Sequence, residues 1–223
     1  MIDIALNIST LKSQIPPSVK IVAVSKTKPV SDIMIVYNSG HRIFGENRVQ
    51  ELLSKKDQLP FDIEWHLIGH LQSNKVKDIV PFISMIESVD SARLLIIINR
   101  EAEKAGRTID CLLQFYIARE ETKFGFSIDE ACKMLESSEY NVLKNVTLCG
   151  VMGIATFTDK TEQVREEFIS LRNCYNLLKE KYFRDSDRFR EISMGMSGDY
   201  PLAVEAGSTI VRIGSLIFGD RIT

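Results

Sequence analysis

The sequence predicts an α/β protein: a single (β/α)8 TIM-type barrel spanning residues 1–223, with an extra N-terminal helix. Three observations carry this. Short continuous apolar runs alternate with helical patterns eight times, about 28 residues per unit across the 223 residues. Strands alternating with helices make parallel sheets, and the length lies near the roughly 250 residues typical of such barrels. The first strand also ends in Ser25-Lys26-Thr27-Lys28. It lacks the glycine-rich turn that marks the doubly wound open sheet.

The elements follow in order. After the N-terminal helix, Lys20–Ser25 (KIVAVS) is a short apolar run of the kind buried on both faces. Pro29 starts a helix carrying Ile33, Val36 and Tyr37, and Gly40 stops it. Arg42–Gly45 is the second strand and Asn47–Lys56 its helix. Ile63–Ile68 is the third strand, followed by a helix over Gln72–Val80 that Pro81 ends. Phe82–Ile86 is the fourth. Asp90 or Ser91 caps a helix whose apolar face is Leu94, Ile98, Ala102 and Ala105, closed by Gly106. Thr108–Phe115 is the fifth strand and Ile128–Glu136 a helix. Val146–Met152 is the sixth, before a long helix from about Lys160 with Val164, Phe168, Leu171, Tyr175 and Leu178 in one stripe. Phe189–Met194 is the seventh strand, Pro201–Ala206 a short helix, and Thr209–Ile213 the eighth strand.

Composition narrows the function classes. With 44% apolar and 26% charged residues, global disorder is excluded. The 28 basic and 30 acidic residues give a net charge of −2, too balanced for a bulk electrostatic drive onto nucleic acid or anionic membrane. The longest apolar run, Leu94–Ile98, falls far short of the roughly 20 residues that span a bilayer. The N-terminus has no basic n-region or cleavage site. Cys111, Cys132, Cys149 and Cys174 form no CxxC pair and no metal-ligand spacing with a histidine. A cytoplasmic protein with reduced thiols and no metal is expected.

Barrel chemistry sits at the C-terminal ends of strands. Strand one delivers Lys26 and Lys28; a lysine at a barrel mouth is either a solvated surface charge or an amine able to form a Schiff base. Strand two ends in Phe44-Gly45-Glu46-Asn47, where Asn47 is a helix cap or an amide facing the mouth. Strand three brings Trp65, His66 and His70, of which His66 is the better ligand contact. Strand seven ends Ser193-Met194-Gly195-Met196-Ser197-Gly198, and strand eight runs through Arg212 to Gly214 and Ser215. Loops after strands seven and eight commonly form a phosphate cup from backbone N–H groups. Ser197 reads as an N-cap or an anion contact, Arg212 as a partner for a ring nitrogen, a phosphate or an acid. A lysine facing a phosphate cup across an apolar slot is what pyridoxal 5′-phosphate (PLP) requires.

Four motifs carry a resemblance: AVSKTKP (Ala23–Pro29), FGEN-x-VQE (Phe44–Glu51), WHLIGHLQSNK (Trp65–Lys75) and SMGMSGDYPLAVEAGSTIVRIGSLIFG (Ser193–Gly219). In this order they resemble the PLP homeostasis proteins, the YggS/PROSC type, from about residue 19 to residue 220. That family is itself similar to the N-terminal barrel of alanine racemase, the fold-type III arrangement. The resemblance implies that Lys26 forms the Schiff base and that Asn47 lies beside the ring. It implies that Ser197 holds the phosphate with backbone N–H groups of Gly214 and Ser215, and that Arg212 approaches the pyridine nitrogen and keeps it unprotonated. Lys28, His66, Met194 and Lys123 are secondary candidates. Arg48 and His70, and the segment Gln114–Glu120, depart from the common family pattern.

Racemases of this type add a β domain that covers the mouth and supplies a second acid–base residue, a tyrosine. Thr223 follows closely on strand eight, so no C-terminal β domain is expected here. An open mouth weakens the electrostatics that catalysis relies on. The expected function is therefore intracellular PLP homeostasis by a non-catalytic carrier, a monomer, with PLP-requiring apoenzymes as the implied recipients. Two rivals are a PLP-dependent amino-acid racemase or related enzyme, and a barrel for a different phosphorylated ligand.

Overall fold

The computed structural model describes residues 2–118 and 125–220. Eight parallel strands close a barrel in sequence order, β8 pairing with β1. They are β1 (Lys20–Val24), β2 (Ile43–Glu46), β3 (Glu64–Leu67), β4 (Met85–Val89), β5 (Ile109–Phe115), β6 (Val146–Gly153), β7 (Glu191–Met196) and β8 (Ile210–Ile213). The expected fold class, including the N-terminal helix α1 (Ile4–Gln14), is the one observed. The Asp3 side chain caps α1 by accepting from the Leu6 N–H, and Ile4, Ile8 and Leu11 turn one stripe inward.

Strand alternation sorts the core into two layers. Val22, Val24, Ile68, Met85, Leu112, Cys149, Met152 and Ile210 fill the barrel. Their strand neighbours, among them Ala23, Trp65, Leu67, Ile86, Leu113 and Val211, pack outward against the helices.

The outer ring starts with α2 (Val30–Asn38), α3 (Val49–Lys56) and α4 (Val76–Ile79), the last preceded by a 3-10 turn at Ser73–Lys75. It continues with α5 (Ala92–Lys104), capped by Ser91, and α6 (Ile128–Leu135), opened by a reciprocal Ser127–Glu130 capping box. A short α7 (Ser138–Asn141) follows. The longest helix, α8 (Thr161–Lys181), buries Val164, Phe168, Leu171 and Leu178, and its Tyr175 stacks on Phe189. The ring ends with α9 (Tyr200–Glu205) and α10 (Ser215–Phe218).

Two strands are displaced from the sequence expectation, and two short helices are additional to it. The fourth strand lies three residues later: the Phe82 and Ile83 N–H groups bond back to Ile79, so these apolar residues finish the α4 turn. The seventh strand lies two residues later, because Phe189 packs between Tyr175 and Phe183 in the outer layer. Helices α7 and α10 are single turns, too short to carry an apolar periodicity.

Candidate functional site

The C-terminal strand ends surround a cavity of about 550 Å³, within the size range of small-molecule sites. Past β1 the alternation continues: Val24 faces the barrel interior, Ser25 the helices, and Lys26 the mouth. Asn47 follows β2 into the same space, where Val24 and Ile68 supply an apolar wall. On the other flank of β1 come Arg212, Gly214 and Ser215 at the end of its neighbour β8, and Ser197 after β7, so the expected cup lies beside the lysine strand rather than opposite it. All six primary site residues thus line one mouth, together with Lys28.

Their hydrogen bonds define what each can do. The Ser197 hydroxyl is not the N-cap of α9; Asp199 holds that position, its carboxylate accepting from the Met196 N–H at 2.5 Å. Ser197 Oγ instead accepts from the N–H groups of Gly214, at 3.2 Å, and Leu216, at 3.5 Å. Two main-chain amides thus converge on the Ser197 oxygen, which leaves its hydroxyl hydrogen to donate; an anion oxygen taking that point would meet the same N–H groups, a set suited to phosphate. Lys28 Nζ donates to the carbonyls of Phe218, Gly219 and Asp220 at 3.1, 3.0 and 3.2 Å, so its three donors are matched by three acceptors.

Arg212 is buried in the floor. It donates to Ser193 Oγ at 2.6 Å and to the Gly153 carbonyl at 2.8 Å. Ser193 donates onward to Glu87 Oε2 at 2.5 Å, and the other Glu87 oxygen lies 2.7 Å from His66 Nδ1. Burial alone would push the Glu87 carboxyl up; bonding and charge from His66, with Arg212 and Ser193, more than offset it and hold the group below its ordinary value. Burial pulls the Arg212 guanidinium below its ordinary value, against the opposing charges of Glu87 and Asp199.

Glu87 and Ser193 carry no expected role in the sequence. With the fourth strand drawn to Ile86, the inward-facing acid stood just outside it.

The secondary candidates fall elsewhere. His66 lies inside the barrel, occupied by Glu87, and does not line the mouth. Met194 belongs to the outer layer between sheet and helices, as does Trp65, because each is one residue out of phase with the inward set. His70 is exposed and faces Asp90 at 2.9 Å. Lys123 lies outside the described residues.

Among the described residues no cluster of His, Cys, Asp or Glu could hold a metal ion, and no helix is long and apolar enough to cross a membrane. Burial pushes the Cys149 and Cys174 thiols up to about 11, the range of inert structural cysteines.

One observation speaks directly to an aromatic aldehyde phosphate. The Asn47 amide oxygen is buried at the edge of the mouth without a hydrogen-bond partner. A ring hydroxyl would satisfy it, the Lys26 amine lining the same mouth suits an aldehyde, and the Ser197 hydroxyl suits a phosphate. The residues present fit PLP.

Known proteins share this barrel. A family model for the alanine racemase N-terminal domain matches residues 2–222. The pyridoxal phosphate homeostasis protein of Synechocystis is 38% identical over 216 residues, covering 96% of this chain and 97% of its own. That of Aquifex aeolicus is 40% identical over 204 residues, covering 91% and 87%. The structure of PipY from Synechococcus elongatus with PLP bound matches with a TM-score of 0.87 at 37% identity, over 97% of this chain and 100% of that one. By full-length match and shared barrel, this chain belongs to the alanine racemase N-terminal domain family and, within it, to the pyridoxal phosphate homeostasis proteins.

Proposed function

We propose that this protein binds PLP covalently at the barrel mouth and serves intracellular PLP homeostasis, holding and releasing the cofactor rather than turning over amino acids. The observation that carries this reading is the meeting of Lys26, Asn47, Ser197 and Arg212 on one cavity. Relatives named as PLP homeostasis proteins, and PipY with PLP bound, support it.

When bound, PLP supplies an aldehyde carbon that condenses with a lysine amine, forming C=N and releasing water. Lys26 is the amine for that bond. Asn47 offers its buried amide oxygen to a donor on the ring. Ser197, with the main-chain N–H groups of Gly214 and Ser215, holds the phosphate. Arg212, in the floor, would face the ring nitrogen. A guanidinium presents only donors, so a nitrogen facing it would stay an unprotonated acceptor, and the ring would withdraw electrons weakly. Ser193 and Glu87 fix the guanidinium in place.

A carrier reading also fits the amines available. Among the described residues two lysines line the mouth, and Lys28 has its donors taken by three carbonyls. Two-base racemisation needs an acid–base group on each face of the substrate. Incubation of the PLP-loaded protein with single amino-acid enantiomers in deuterated water tests the reading. The α-hydrogen is expected to exchange no faster than with free PLP, while sustained exchange with racemisation would make the protein an enzyme.

A further inference from the structure

The residues on either side of Lys26 are tied to one buried cation. Lys55, on α3, is buried between the helix and the barrel. Its Nζ donates to the Ser25 carbonyl at 2.9 Å, to Glu46 Oε1 at 2.8 Å and to Glu51 Oε1 at 2.6 Å. All three ammonium donors are therefore used. Glu51 Oε1 also accepts from the Thr27 N–H at 2.5 Å, and the Ser25 hydroxyl donates to Glu46 Oε1 at 2.7 Å.

Ser25 is thus held at its carbonyl and its hydroxyl, and Thr27 at its amide. Only Lys26, between them, points into the mouth. Thr27 has φ +65°, the left-handed region that a β-branched residue rarely enters. Such a conformation persists where its surroundings over-determine it, and here the Glu51 contact does so. None of these atoms lines the cavity, so any influence on the site passes through the main chain of the Ser25–Thr27 turn.

We infer that Lys55 is a positioning residue for Lys26: its ammonium, with Glu46 and Glu51, locks the turn that presents Lys26 to the mouth. The inference rests on the proposed role of Lys26. It assigns a task to a lysine whose sequence context, Ser54-Lys55-Lys56, reads as an ordinary solvated helix end. Burial pushes the Glu46 carboxyl up against the bonds from Lys55 and Ser25 that hold it down, so losing the cation strips this acid of its main counterweight.

The test uses the full chain with added PLP and three variants: Lys55→Met, Lys55→Arg and Glu51→Ala. Two readouts are followed beside the thermal midpoint. One is the rate at which borohydride-trappable adduct forms on Lys26; the other is the pH midpoint of the visible band of bound PLP. Misplacing a reacting group by about 1 Å can cost ~10²-fold in rate. Lys55→Met is expected to slow adduct formation at least about tenfold and to move the pH midpoint by roughly one unit. Lys55→Arg, which keeps the charge and donors, restores much of both. Glu51→Ala removes the Thr27 contact while leaving Glu46 in place, and decides the matter if Lys55→Met does not fold: it too is expected to slow the adduct. Variants with a lowered thermal midpoint but unchanged adduct rate and pH midpoint would overturn the inference alone, leaving Lys55 a structural ion pair. An unaltered chain that forms no adduct on Lys26 would overturn the proposed function and this inference with it.

Discussion

Arg212 and Glu87 face each other inside the barrel, Nη1 and Oε2 3.9 Å apart with both side chains buried, and the Ser193 hydroxyl bridges them. The pair stands directly beneath the mouth. It neutralises a charge that would otherwise be costly to bury, and it fixes the guanidinium through Ser193. Removing one partner of a buried pair typically costs about 3–5 kcal/mol, because the other is left uncompensated. Glu87→Ala is therefore expected to lose stability of that order in urea denaturation and to weaken PLP binding. A double change of Glu87 and Arg212 to apolar residues of similar volume is expected to recover most of the stability and none of the binding.

Ser197 couples the ends of β7 and β8 through the amides of Gly214 and Leu216. A hydrogen bond to a charged group contributes about 1.5–3 kcal/mol. Ser197→Ala is expected to weaken PLP by about tenfold or more while leaving pyridoxal, which has no phosphate, unchanged. Titration of both by absorbance distinguishes a phosphate role from general loosening.

Gly69 packs against the main chain of Asn47. A Cβ built there would overlap the Asn47 carbonyl oxygen and lie 2.8 Å from its Cα, contacts that backbone cannot absorb without moving. Gly69→Ala is expected to displace Asn47 and weaken PLP by about tenfold or more, although it removes no group from the mouth. Equal affinity in this variant would show that Asn47 has no part in binding.

His41 links folding to pH. Its ring is buried, with Nε2 2.9 Å from the Ile43 carbonyl, and burial lowers its value from 6.5 to about 4. Between those values the unfolded chain binds a proton that the folded chain refuses. Stability is thus unaffected above about pH 6.5 and falls as pH drops toward 4, by about 3 kcal/mol in all. Denaturation curves at pH 7 and pH 4.5 are expected to converge for His41→Gln relative to the unaltered chain.

The barrel and its mouth were readable because parallel strands declare themselves as short apolar runs, and because position at a strand end is itself a statement of location. Lys26, Asn47, Ser197 and Arg212 could be brought to one rim on those grounds. What lay beyond reach depended on phase. Drawing the fourth strand at Phe82–Ile86 left Glu87 outside it and hid the partner of Arg212. Met194 and His66 belong to strands that end at the mouth, yet one faces the helices and the other is held below the mouth. The bond between Ser197 and α10, and the Lys55 cluster, join elements whose relative placement only the closed barrel fixes.

The central claim is that Lys26 carries PLP at this mouth. Intact mass of the protein incubated with PLP and reduced by borohydride, followed by peptide mapping, tests it most directly. A single phosphopyridoxyl group on Lys26, lost in Lys26→Ala, is the result expected. No adduct, or an adduct on Lys28 with Lys26 unmodified, would contradict the account.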